Sequence, residues 1–445
     1  MNLTFLAYAM IVVFMALIMT KRMSVLTALV LVPIVFGVIG GFGPKLGPMM
    51  LDGIKALAPT GVMLTFAILY FGIMIDAGLF DPVVKLVVRL VHGDPVKIVV
   101  GTAALALFVS LDGDGSTTYL ITVTAMLPLY VRLKMDRLVL ASVIMQAGGV
   151  MNILPWGGPT ARAATALKLD MGQVFPPLVP AMLVGAAWVL FVAWILGRRE
   201  RQRLGVLSEA KLGDLHASMD DHRQTAAELD DDAAIRRPKL VWINFALTAA
   251  LLGALIAGLL PLSVLFLIAF ALALVINYPS LEEQKARIAA NAGNALAVVA
   301  VIFAAGIFTG VLSGTKMVDA IAHSVVALVP PVLGPYLAVI TGILSMPFTF
   351  FLSNDAFYFG VVPILSQAAS AYGITAAEIA RASLVGQPVH LLSPLVPSTY
   401  LLVGLAKVEF GDHQKFTLKW TVATSLLMLL VNILVGVIPL VGRAG

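Results

Sequence analysis

The chain has 445 residues, 60% hydrophobic and 12% charged, with a mean hydropathy of +1.00. A soluble domain is roughly 25% charged, so the composition marks an integral membrane protein and excludes an ordinary soluble domain. The formal charge of +5 fits basic cytoplasmic loops rather than nucleic-acid binding. With no cysteine, disulfides and thiolate metal sites are excluded.

Apolar runs at 3–20 and 24–41 are expected to span the bilayer, separated by Lys21-Arg22. The first has no basic n-region, so it is expected to be a retained helix. Residues 42–58, with Pro44, Pro48, Asp52 and Lys55, read as an interfacial connection before a span at 59–79. Asp81-Pro82 opens an amphipathic arm in which Lys85 and Arg89 lie four apart among valines and leucines. A helical hairpin follows at about 96–131, its tip the stretch Asp112-Gly-Asp-Gly-Ser-Thr-Thr118. Next comes a helix at 136–168 broken by Asn152-Ile-Leu-Pro-Trp-Gly-Gly-Pro159. A span at 175–197 closes this first membrane repeat, 1–197. Residues 198–239 are rich in charge, including Arg198, Asp230 and Arg237, and read as a cytoplasmic connector.

The second repeat, 240–445, follows the same plan. Spans are expected at 240–259 and 261–278, a charged connection at 280–291 and a span at 295–313. An arm at 315–328 precedes a hairpin at 334–371 with Ser353-Asn-Asp355 at its tip. A broken helix at 375–407, with Pro388, Pro394 and Pro397, leads to a last span at 417–440. The spacing between matching residues drifts slowly, from 234 (Phe71 to Ala305) to 241 (Gln146 to Gln387). An ordered series of this kind indicates two halves of common design. If Lys21-Arg22 is cytoplasmic and both hairpins are re-entrant, all but seven of the 29 basic residues lie inside. Lys45, Lys55, Lys168, Lys316, Arg381 and Arg443 lie outside, and Arg162 lies within a helix. The two hairpins then enter from opposite faces. The fold expected is an all-α polytopic membrane protein of two inverted-topology repeats, each with a re-entrant hairpin and a discontinuous transmembrane helix.

Ionisable side chains, glycines and prolines at membrane depth are costly and persist where unwound backbone lines a cavity. Asp112, Asp114 and Asp355 are the candidates for metal or proton handling, because carboxylates suit hard cations and titrate when desolvated. An Asp that merely caps the following helix is the structural alternative. Ser116, Thr117, Thr118, Ser353 and Asn354 offer oxygens and donors at the two tips. Asn152, Gly157, Gly158 and Thr160 in the first break, and Ser393, Pro394 and Ser398 in the second, form the remaining substrate-binding set. Arg162 can clamp a carboxylate or snorkel towards Lys168 and Asp170, and His390 can bind substrate, relay protons or serve only as a structural donor. No paired-histidine motif, nucleophile elbow or phosphate loop appears, so an enzyme is not expected.

These segments resemble the ion transporter superfamily that includes the divalent anion:sodium symporters. Ser353-Asn354-Asp355 is similar to the Ser-Asn-Thr signature of those symporters, with Asp355 in place of the Thr, and Thr117 stands where their first hairpin has Asn. The closer resemblance is to the citrate–divalent metal:proton symporter family (CitMHS). It is carried by Phe71-Gly-Ile-Met-Ile-Asp-Ala-Gly-Leu-Phe-Asp-Pro82, Asp112-Gly-Asp-Gly-Ser-Thr-Thr118, Leu154-Pro-Trp-Gly-Gly-Pro159 and Ser353-Asn-Asp-Ala-Phe-Tyr358. The resemblance implies uptake, across the cell (inner) membrane, of citrate complexed with Mg²⁺, Ca²⁺ or a similar ion in symport with protons. It implies no permanent cofactor, the divalent ion being cargo, and by analogy a homodimer in membrane lipid. The alternatives are a sodium-coupled di- or tricarboxylate symporter and a cation:proton antiporter. On the leading reading a carboxylate at Asp355 is required for coupled transport.

Overall fold

The structure is a computed structural model and describes residues 3–20, 22–91, 93–113, 115–204, 235–257, 259–317, 319–320, 324, 330 and 332–443. The described residues form helices throughout, and seven of these are long and apolar enough to cross a membrane. In a bilayer the backbone must satisfy its own hydrogen bonds, and helices do so within one segment.

The first half runs α1 (Leu3–Met19), α2 (Val25–Ile39), α3 (Leu46–Asp76) and the short amphipathic α4 (Asp81–Leu90). Then come α5 (Pro95–Val109), α6 (Gly115–Arg132), α7 (Arg137–Met151), α8 (Gly158–Ala166) and the long α9 (Val179–Leu204). The second half runs α10 (Val241–Ile256), α11 (Leu262–Asn277), α12 (Leu281–Gly314) and α13 (Leu337–Phe351). A π-helical turn (Ala356–Val361) leads into α14 (Val362–Ser370), followed by α15 (Ala376–Leu384), α16 (Gln387–His390), α17 (Pro397–Ala406) and α18 (Phe410–Leu434). Side-chain caps mark the turns. Asp94 accepts from Val96 N, Asp136 from Leu138 N, and Thr375 and Glu378 form a reciprocal capping box.

Several boundaries differ from the sequence reading. Residues 42–58 are not a connection, because α3 runs unbroken through Pro59. The charged stretch 280–291 is likewise the first part of α12, a helix of 34 residues. Ala, Glu, Gln, Lys and Arg are strong helix formers, so these polar turns prolong the helix. Residues 198–204 of the expected connector continue α9, and 235–240 are also described, while 205–234 lie outside the described residues. So does most of the expected arm at 315–328. The last span begins at Phe410 rather than 417. It stops at Leu434 because Gly436 turns left-handed (φ +74°) ahead of Pro439.

Left-handed turns recur at matching places in both halves. Gly78 pairs with Lys316, Lys134 with Gly373, and Lys168 with Lys407, each 238 or 239 residues apart. The long helices α3 and α12 cross with their backbones in contact. A Cβ on Gly53 would overlap the Gly306 carbonyl, and one on Gly310 would lie 3.0 Å from Gly53 Cα. At the other end of this crossing, Arg287 and Asn291 of α12 meet Asp76 of α3 at 3.4 and 3.2 Å. At that same end Arg237 anchors the chain, bonding Asn277 O and Glu283 and stacking 4.7 Å from the Tyr278 ring centroid.

The centre of the molecule is built from the interrupted helices. Every residue from 139 to 150 in α7 is buried, as is every residue from 382 to 393. A helix buried on all faces belongs to the middle of a bundle. The two meet so closely that a Cβ on Gly149 would lie 2.6 Å from Pro388 Cα.

Candidate functional site

The helices that pack around this contact enclose a cavity of about 390 Å³, within the range of small-molecule sites. Ser110, Gly113, Gly115 and Thr118 line it from the first hairpin and Asn354 from the second. Gly148, Met151, Asn152, Gly158, Pro159 and Arg162 line it from α7 and α8. His390, Leu391, Val396 and Ser398 line it from the second interruption. Both hairpin tips and both breaks therefore converge on one space.

The polarity of the helix ends gives that space a mixed field. α7 and α16 end on it, presenting the carbonyl ends of helices, while α8 and α17 begin on it, presenting N–H ends. Glycine and proline open the breaks. Gly157 is the extended N-cap of α8, and a Cβ there would overlap the Asn152 carbonyl. At the first tip Gly113 has φ +79°, and a Cβ would lie 2.5 Å from Trp156 Cδ1. The Trp156 indole donates to Leu111 O at 2.9 Å, tying the first break to the first tip.

One ion pair crosses between the halves at the cavity. Arg162 Nε donates to Asp355 Oδ1 at 2.6 Å, with the two side chains 22% and 16% exposed. Arg162 therefore does not snorkel away, and Asp355 is held by a guanidinium. A second link runs through Gln387, which is fully buried. Its Oε1 accepts from Asn152 Nδ2 at 3.0 Å, and its Nε2 donates to Tyr358 OH at 2.8 Å and to Asn354 Oδ1 at 3.3 Å. His390 bonds Thr349 O through Nδ1 at 2.6 Å, which sets that nitrogen as the donor.

The other expected site residues divide. Thr118 lines the cavity and donates to Ser110 Oγ at 3.3 Å, and Ser398 lies over Gly115 at the start of α6. Ser116 and Thr117 occupy the first turn of α6 but do not line the cavity. Thr160 closes the first break, donating to Ile153 O at 2.7 Å, and Ser393 ties the second break to the end of α13, donating to Phe350 O at 2.6 Å. Ser353 caps, accepting from Ala356 N at 3.2 Å. Pro394 is exposed and outside the cavity, because the chain turns there before α17 begins. Asp112 is buried in the turn of the first tip, also outside the cavity lining, and Asp114 lies outside the described residues. Among the described residues, no group of three or more His, Cys, Asp or Glu side chains is placed to hold a metal ion. Gln387, Tyr358, Ser110 and Trp156 are absent from the expected set. Gln387 had a signal in its match to Gln146, and Trp156 and Tyr358 lay within the motifs that carried the family resemblance, while Ser110 had none.

Apolar helices interrupted around one central polar cavity define a multi-pass membrane transporter rather than an enzyme. Residues 14–386 match the family described as CitMHS, citrate transporter, and the chain belongs to that family. It is 62% identical over 437 residues to a citrate transporter of Bacillus subtilis (strain 168), covering 98% of this chain and 99% of the relative. It is 52% identical over 439 residues to the Mg(2+)/citrate complex secondary transporter of the same organism, with coverage of 98% and 99%. The fold is similar to that of the Alcanivorax borkumensis YdaH transporter (TM-score 0.57, 16% identity, 91% of this chain and 90% of that one). It is also similar to Neisseria gonorrhoeae MtrF (TM-score 0.61, 14% identity, 92% and 88%).

Proposed function

We propose that the protein carries citrate as a complex with a divalent metal ion, in symport with protons, through two inverted repeats with re-entrant hairpins. The observation that carries this reading is the mixed polarity of the cavity. N–H ends of helices and Arg162 favour carboxylates, while carbonyl ends and the side-chain oxygens of Asn152 and Asn354 favour a cation. A complex that presents both kinds of group fits such a field better than a bare cation or a bare anion. The metal comes already ligated by citrate, which suits a cavity that has no carboxylate cluster among the described residues. Thr118, Asn152, Gly158, Arg162, Asn354, His390 and Ser398 are the proposed contacts. The kinship to a magnesium–citrate carrier supports the choice of cargo.

Uptake of labelled citrate into proteoliposomes under an inward proton gradient, with Mg²⁺, Ca²⁺, Mn²⁺ or chelator present and choline replacing sodium, tests this. Uptake is expected only with a divalent ion and without sodium. Uptake that persists in chelator, or stops in choline, refutes it.

A further inference from the structure

We infer that the Arg162–Asp355 pair is the device that couples protons to the cargo: the proton on Asp355 and the citrate carboxylate on Arg162 bind as partners, each balancing the charge that the other brings. The inference rests on the proposed reading of the protein as a proton-coupled carrier of a metal–citrate complex.

The geometry limits the options. Arg162 is the cation lining the cavity among the described residues, and its Nε is occupied by Asp355 at 2.6 Å. Arg162 belongs to α8 of the first half and Asp355 to the hairpin tip of the second, so the pair closes across the site. Among the described residues, the other titratable groups around Asp355 are few. His390 of α16 lines the cavity with Arg162, its Nδ1 on Thr349 O, and Tyr358 stands in the π turn that Asp355 precedes, donating to Ser383 O. On the packed elements α1 and α15, Tyr8 is bonded to Ser324, Glu378 to Thr375, and Arg381 to Gln173 O. Asp355 takes Nε alone, and Arg162 Nη1 lies beside the cavity-lining Gly158. A carboxylate of the incoming complex that bonds the remaining N–H groups therefore puts a second negative charge on the same guanidinium, which a proton on Asp355 offsets.

Charge balance then gives the coupling. A divalent ion leaves a citrate trianion with one net negative charge. Empty, the pair is neutral. Loaded with a proton on Asp355 and the complex on Arg162, the site is neutral again. With the proton alone it carries one positive charge, and with the complex alone one negative charge. An uncompensated charge within the membrane is costly, so the two half-loaded forms are disfavoured from crossing. Proton transfer breaks no bond but the Arg162–Asp355 hydrogen bond, and the proton remains on the carboxyl until release.

The test is titration calorimetry of the purified protein with magnesium–citrate in buffers of different ionisation enthalpy, comparing wild type with Asp355→Asn. The citrate contribution is common to both, so the difference reports the protein. Wild type is expected to take up close to one more proton per complex than the variant at pH 7–8. Asp355→Asn is expected to bind about 5–150-fold tighter there, the usual span of coupling between two ligands, with the gap closing as pH falls. In proteoliposomes the variant is expected to lose citrate accumulation driven by a proton gradient. Equal proton uptake by the two proteins overturns the inference, as does a folded variant that binds more weakly than wild type. Should Asp355→Asn fail to elute as folded protein, Asp355→Ser carries the same expectations. A wild type that binds no magnesium–citrate refutes the proposed function itself, whereas normal binding with unchanged proton uptake refutes only the switch.

Discussion

Replacing Gln387 by Met would separate the work of the buried amide from that of its bulk. The side chain keeps its length and loses three hydrogen bonds, to Asn152, Asn354 and Tyr358. At about 0.5–1.5 kcal/mol net for each bond, the simple sum is about 1.5–4.5 kcal/mol. Asn152 and Asn354 border the cavity, where water can replace the amide, and Tyr358 OH keeps Ser383 O at 3.3 Å. The expected cost is therefore about 2–3 kcal/mol, roughly 5–10 °C in apparent melting temperature for a large chain. Citrate counterflow should slow at least about tenfold, because both asparagines lose the group that orients them. Gln146→Met is the internal control. That amide, equally buried and at the matching place in the first half, reaches only its own helix, at Ser142 Oγ (3.1 Å) and Ser142 O (3.3 Å). It should cost about 1 kcal/mol and leave counterflow within about twofold of wild type. Equal losses in the two variants, or a Gln387→Met protein that melts and transports as wild type, would refute the reasoning.

Gly53→Ala should lower stability by about 1–3 kcal/mol through overpacking of the α3–α12 crossing, read as a fall in melting temperature, while Gly47→Ala, in open space, should change nothing. Gly113→Ala should cost about 1–2 kcal/mol for the left-handed backbone alone. It should also unseat Trp156 and slow transport, whereas a variant with wild-type uptake and indole fluorescence would remove the role given to that turn. A cysteine introduced at Leu215 on this cysteine-free background should react with impermeant maleimide only from the cytoplasmic side; labelling from outside intact cells would invert the proposed topology.

The interruptions were legible because they are local. Glycine, proline and aspartate break an apolar run wherever it folds, so the tips at Gly113 and 353–355 and the breaks at 152–157 and 391–396 stand out in the sequence. The ends of α3 and α12 were not legible, because Asp52, Lys55 and 282–287 read as interruptions of hydrophobicity although they do not interrupt a helix. The pairing of Arg162 with Asp355 was hidden for another reason. These residues are 193 apart and meet only because the breaks and tips of both halves interleave. Gln387 shows the same limit, since its repeat match to Gln146 marked the position while its three partners depend on the packing of four segments. Thr160 and Ser393 carried hydroxyls into the right neighbourhood, but backbone carbonyls claimed them first, that of Ile153 in the first break and that of Phe350 at the end of α13.

The contact between Gly149 and Pro388 leaves no room for a side chain between the two interrupted helices. The seam is held by shape alone, since each helix pairs its own peptide groups, and a single methyl added at Gly149 would force the two interruptions apart.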